Sequence, residues 1–212
     1  MKPPRILDLD EKRPVFLIMD ASPVIMLAAI KRLDWLLEPC GTVQMTDMVI
    51  EEVTREPDEG DDRRREWLQY TREWIERNRG LRRLRRIDTN TFRDYRYAID
   101  GWKSAGGKPE DKPNLRDQGE ISILETLKNY RDEIRPDETI IVLMDDRDGR
   151  DLLRAQRRIN LDVFGTRVFI EALHESFGIK EAATAWQTIL RVLPVADPGE
   201  VEGQFYVRRA IP

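Results

Sequence analysis

The stretch Pro14-Val15-Phe16-Leu17-Ile18-Met19-Asp20-Ala21-Ser22-Pro23 decides the fold. Its first six residues are apolar without alternation, the signature of a strand covered on both faces, as in a parallel sheet. An acid follows at once. Ser22-Pro23 then reads as the N-cap and first residue of a helix, which the apolar spacing carries through Leu27, Ile30 and Leu33 to about Leu37.

The same strand–acid–helix unit recurs downstream. Thr139 to Met144 (TIIVLM) is a second buried strand, and Asp145-Asp146 end it. Asp148 is placed to cap a helix through Leu152 and Ile159; Leu161 to Phe164 is a short strand, and Thr166 caps a helix through Phe169, Leu173 and Phe177 that Gly178 stops. Upstream, Gly41 to Met45 reads as a strand, with Thr46 or Asp47 capping a helix that shares Val49 and Val53 on one face. Asp117 to Tyr130 reads as a helix with Ile121, Leu124 and Leu127 on one face. A last helix runs from about Lys180 to Leu193, and the extension 194–212 holds an edge-strand candidate, Gln204 to Arg209.

Strands alternating with helices predict an α/β fold: a three-layer α/β/α sandwich around a central, mainly parallel sheet. Residues 55–116 differ in texture and read as a charged insertion into this single domain, helical at first and a loose loop at its end. Trp67, Tyr70 and Trp74 fall at i, i+3, i+7, the stripe of an amphipathic helix, whereas GWKSAGGKPEDKPN is rich in turn formers.

Composition narrows the chemistry. The chain has 212 residues, 40% hydrophobic and 36% charged, with a net charge of −4. Cys40 is the only cysteine, which excludes an intrachain disulfide and suits a reducing cytoplasm. His174 is the only histidine, so a multi-histidine zinc site is excluded. There are 40 acids. Metal chemistry here would use carboxylates, which select hard cations such as Mg²⁺ or Mn²⁺. The first residues lack the apolar core of a signal peptide, and no apolar run is long enough to span a membrane.

Asp20 and Asp145-Asp146 end the two most apolar strands, and ligands of such sheets bind beyond the carboxyl ends of the strands. Glu51 and Glu52 lie in a helix that starts near the same edge; in D-Q-G-E, Asp117 caps a helix and Glu120 lies in its first turn. Each acid alone has a structural explanation as a cap, a turn residue or a partner of the helix dipole. Capping does not explain acids directly after both apolar strands. Two carboxylates about 5 Å apart at an effective dielectric near 20 repel by roughly 3 kcal/mol, so a converging set requires protons or a divalent ion.

The order strand-Asp-x-Ser, E-E-V in a helix, D-x-G-E opening a helix, strand-D-D-R-D-G-R and V-F-G-T resembles PIN-domain proteins, and is most similar to VapC-type toxins and their relatives. The resemblance covers residues 15–55 and 115–180. It implies a ribonuclease dependent on Mg²⁺ or Mn²⁺, with catalytic acids Asp20, Glu52, Glu120 and Asp146. It implies metal contacts from Asp20, Glu120, Asp146, the adjacent Asp145 and the nearby Asp117. Glu52 is preferred over Glu51 because the family's helix acid usually precedes a small apolar residue, here Val53. Gly165-Thr166 would be structural, and Ser22 would either cap or assist the metal shell. Candidate partners are single-stranded RNA, an antitoxin protein and a second copy of the chain. A long charged middle segment departs from the small toxins.

Residues 61–86 hold ten arginines and five acids. From Arg79 to Arg86 no acid dilutes the charge, and Arg82, Arg83, Arg85 and Arg86 are expected to contact nucleic-acid phosphates. The helical spacing of Trp67 and Trp74 predicts packing; His174 is expected on a helix surface and Cys40 as a buried small hydrophobe. The rival readings are a catalytically silent PIN-like module that binds RNA or protein, and a receiver-like or phosphatase-type α/β protein. The completeness of the acid set separates the first from a nuclease; the second lacks a well-placed lysine after Asp146.

Overall fold

The structure is a computed structural model that describes residues 13–56, 62–115, 117–130, 133–155 and 160–193. In chain order the elements are β1 (Arg13–Met19), α1 (Ala21–Ala29), a 3-10 segment (Leu33–Leu37), β2 (Val43–Thr46), α2 (Asp47–Thr54), α3 (Asp62–Gly80), β3 (Leu84–Ile87) and α4 (Asn90–Ser104). A short 3-10 turn (Pro109–Asp111) leads to α5 (Gln118–Tyr130), β4 (Glu138–Leu143), α6 (Arg147–Arg154), β5 (Leu161–Phe164), α7 (Thr166–Glu175) and α8 (Ala182–Val192). The expected edge strand Gln204 to Arg209, Ile159 and most of the acidic run lie outside the described residues.

The sheet has five strands in the order β3-β2-β1-β4-β5, and every pairing is parallel. Helices flank it, giving the three-layer α/β/α sandwich expected from the sequence, with α1 against α3 and α8 and with α4 against α5. The apolar runs occupy its centre: Leu17, Ile18, Met19, Ile140, Val142 and Leu143 are fully enclosed. The chain builds outward from β1 through β2 to β3, then returns to the other side of β1 with β4 and β5. The carboxyl ends of β1 and β4 therefore form the topological switch point, where adjacent connections leave in opposite directions and open a crevice. The Asp20 amide extends the ladder there by donating to the Leu143 carbonyl at 2.9 Å.

Several local expectations are corrected. The first helix ends at Ala29 instead of continuing to Leu37. Lys31 takes a left-handed φ of 56°, the Arg32 amide donates to the Leu27 carbonyl (2.8 Å) and the Lys31 amide to that of Ala28 (2.9 Å). This is a Schellman closure, and it turns Leu33 and Leu36 into the core. The helix N-caps also shift: Asp20 precedes α1, with Ser22 in its first turn, and Asp146 instead of Asp148 caps α6. In α5 the buried face is Ile123 and Leu127, while Ile121 is about half exposed.

The segment expected as an insertion, 55–116, contributes to the sandwich itself. It supplies the edge strand β3, in register with β2 from Val43↔Leu84 to Thr46↔Ile87. Trp74 is almost fully buried, and its indole N–H donates to Asp34 Oδ1 at 2.8 Å. The Arg72 guanidinium donates to the Thr54 carbonyl (3.1 and 2.5 Å) and to Glu56 (2.8 Å), fastening α3 to the end of α2. Of the expected loop 101–114, only residues 101–104 belong to α4; the rest is turn and loop around the short 3-10 segment, and Trp102 donates to the Lys108 carbonyl at 2.6 Å. His174 lies on the surface of α7, and Cys40 is half-buried, its thiol pushed up to about 12 by burial. No helix among the described residues is long and apolar enough to cross a membrane.

Candidate active site

Four acids from four segments lie near the switch point: Asp20 feels the charges of Glu52 and Asp146, and Glu120 those of Asp146 and Asp20. Asp20 follows β1 and is 8% exposed. Its carboxyl is pushed up to about 7, first by burial and then by the charges of Glu52, Asp145 and Asp146, against a hydrogen bond from the Ala21 amide. Glu120 stands in the first turn of α5 and is also raised to about 7, by burial and then by Asp146, Asp20, Asp117 and Asp148. Asp146 ends the β4 connection and accepts the Gly149 amide at 2.7 Å, so its side chain is held by the helix it caps.

The two neighbouring glutamates of α2 meet different surroundings. A β-carbon placed on Gly119 would lie 3.0 Å from Asp20 Oδ1 and 3.3 Å from Glu52 Oε2, so both carboxylates reach the same spot on α5. Glu51 instead acts on Tyr95 of α4. Gly119, the third residue of the D-Q-G-E motif, thus lies against both carboxylates. An added β-carbon on Gly149 would likewise meet Met144 Sδ at 2.5 Å and the Glu120 carboxyl carbon at 3.0 Å. A glycine in a helical pattern costs about 1 kcal/mol relative to alanine, and that cost was the available signal. Here it lets α5 and α6 close on the acids.

Asp145 serves the frame. Its Oδ1 accepts the Thr166 amide (2.7 Å) and its Oδ2 the Thr166 hydroxyl (2.6 Å), binding the end of β4 to the start of α7. The buried Arg150 guanidinium donates to the Met144 carbonyl (3.2 Å) and to that of Asp145. Burial raises the Asp145 carboxyl, and the Thr166 bonds and Arg150 oppose that rise. Asp47, after β2, makes the matching clasp on the other side: it accepts the Thr89 hydroxyl (2.7 Å) and amide (3.0 Å). Both oxygens of Asp145, a candidate metal contact, are thus engaged in the Thr166 clasp. Asp117 is exposed with a left-handed φ of 62°, and it reaches the site as a charge that raises Glu120.

The expected arginine patch is divided. Arg82 and Arg83 precede β3, which places them at the amino end of a parallel sheet, opposite the acids. Arg86 pairs with Asp88 (2.9 Å), lies 3.9 Å from Asp47 and stacks over Phe92. Arg85 stands exposed on β3, on the face toward Tyr130. Folding thus supplies acids that the local sequence lacks.

Among the described residues, no three acidic, histidine or cysteine side chains are already gathered closely enough to hold an ion. No family model matches the chain, and neither a curated protein nor a solved structure matches it.

Proposed function

We propose that the chain is a PIN-type nuclease that hydrolyses single-stranded RNA with Mg²⁺ or Mn²⁺ at Asp20, Glu52, Glu120 and Asp146. The observation that carries this reading is the meeting of these acids at the switch point, with Asp20 and Glu120 both raised to about 7. Burial raises both carboxyls first and the neighbouring charges add to it, a repulsion that a divalent ion would relieve.

The residues fit a divalent ion by donor chemistry, since all four are carboxylates of the kind hard cations prefer, and not by a preformed shell. Bound there, the ion would lower the pKa of a water and stabilise charge on the phosphoryl oxygens. The chain's own part is to bind and orient. Glu52 and Asp20 share one side of the site against Gly119, and Asp146 is locked by its cap. Glu120, half-buried in the first turn of α5, completes the carboxylate set. Water adds to phosphorus, the bond to the leaving ribose oxygen breaks, and that oxygen takes up a proton.

Purified protein should cleave labelled single-stranded RNA with Mg²⁺ or Mn²⁺ and stop in EDTA, and Asp20→Asn should fold but not cleave. Equal cleavage in EDTA would reject the mechanism. The absence of a ready-made ion group favours a second reading, a silent RNA- or protein-binding module; calorimetry with Mn²⁺ separates the two, since that module takes up no ion. The same resemblance carries an antitoxin protein and a homodimer as candidate partners, and the single cysteine suits the cytoplasm as the location. Co-purification with the product of a neighbouring gene, and light scattering, test the partners.

A further inference from the structure

We propose that Arg147 grips a backbone phosphate of the substrate beside the acids, so that the ligand is a polynucleotide strand and not a lone phosphodiester. This rests on the nuclease reading above and extends it to how the strand is held.

The acids that suit a cation repel the substrate. A strand entering the switch point meets Asp20, Glu52, Glu120 and Asp146, with Asp117 and Asp148 close enough to act on Glu120. A bound cation would offset part of this charge, and cationic side chains near the crevice would offset more of it. Four arginines lie in α6 and at the start of α7, and three are engaged. Arg150 is buried on the Met144 and Asp145 carbonyls. Arg154 donates to the Val163 carbonyl at 3.3 Å and pairs with Asp151 at 3.5 Å. Arg167 pairs with Glu171 at 3.0 Å.

Arg147 differs. It is exposed and has no hydrogen-bond or ion-pair partner among the described residues, although Asp146 and Asp148 flank it in sequence. It is the first residue of α6, directly after Asp146. The Cα–Cβ bonds of a helix tilt toward its N-terminus, so this side chain starts out toward the edge where the acids stand. A guanidinium presents a planar fork of donors that matches a phosphate in two-bond geometry. With no ion pair to break, it is available when a strand arrives. The expected patch at Arg82 and Arg83 stands at the other end of the sheet and cannot do this beside the acids.

The test is binding without turnover. In an Asp20→Asn background, the affinity of a fluorescein-labelled oligouridylate is measured by anisotropy at several salt concentrations. Arg147→Gln should weaken binding about tenfold and reduce the salt slope by about 0.7, the value for one phosphate contact on a single strand. Arg147→Lys should restore the slope but not the full affinity. The double variant Arg82→Gln/Arg83→Gln should keep the slope. An unchanged slope in Arg147→Gln, or an equal loss in the Arg82/Arg83 variant, would overturn the proposal. Melting of Arg147→Gln should stay near that of the parent, since the residue is exposed. A wild type that fails to cleave RNA with Mn²⁺ would reject the nuclease reading, while the slope would still decide Arg147.

Discussion

Gly119 sits against Asp20: a methyl group on the glycine would come within 3.0 Å of Asp20 Oδ1 and 3.3 Å of Glu52 Oε2. An alanine there would require both carboxylates to give way by a few tenths of an ångström. Gly119→Ala gains helix propensity of about 1 kcal/mol but forces overpacking that costs roughly 1–3 kcal/mol. The two nearly offset, so the melting temperature should move by a few degrees at most. The displaced carboxylates should lower cleavage and Mn²⁺ affinity at least tenfold. A variant with parental activity would show that the close approach is incidental.

Stability should fall with rising pH in a way that Asp20 controls. Asp20 and Glu120 are raised to about 7 from ordinary carboxyl values near 4. The folded chain therefore keeps protons that the unfolded chain has released. Their contribution is fully present below about pH 4 and is lost as pH climbs through about 7. Without divalent ions, Asp20→Asn should melt higher than wild type at pH 8, with the gap closing toward pH 4. Mn²⁺ should raise the wild-type melting temperature most at pH 8. Thermal melts across pH with and without Mn²⁺ check both; a constant gap would mean that Asp20 does not titrate in this range.

Neighbouring acids should fail in different ways. Asp145→Ala removes both acceptors of the Thr166 clasp and should cost roughly 2–3 kcal/mol in urea unfolding. Asp146→Asn keeps a side chain able to cap α6, so it should unfold like wild type yet lose cleavage. Reversed results would exchange the structural and functional assignments.

Trp74→Ala should destabilise by about 3–5 kcal/mol, as for a large core aromatic, because Trp74 is 1% exposed and its indole holds Asp34. A loss under 1 kcal/mol would make the middle segment a dispensable appendage after all.

The legible parts of this chain are those where neighbours in sequence carry the signal. Residues 14–19 and 139–144 read as buried strands because an unbroken apolar run is stable only when covered on both faces. The cap at Thr46 bonds within its own first turn. β3 was not legible. Leu84-Arg85-Arg86-Ile87 is short and half charged, and it becomes a strand because β2 offers it a ladder once α3 has packed. The glycines of the site were not legible as spacers, because what they make room for lies on other segments.

The sequence by itself determined that acids stand at the carboxyl ends of two buried strands, because a residue that follows a strand follows it in space. Tertiary structure alone decided which acids meet. Strand order puts β1 beside β4, and with it Asp20 beside Asp146. The pitch of α2 sends Glu52 to the site and Glu51 to α4, and Thr166 takes both oxygens of Asp145. Chain direction is a local property, readable from one segment; convergence depends on how separate segments pack, and no single segment carries that information.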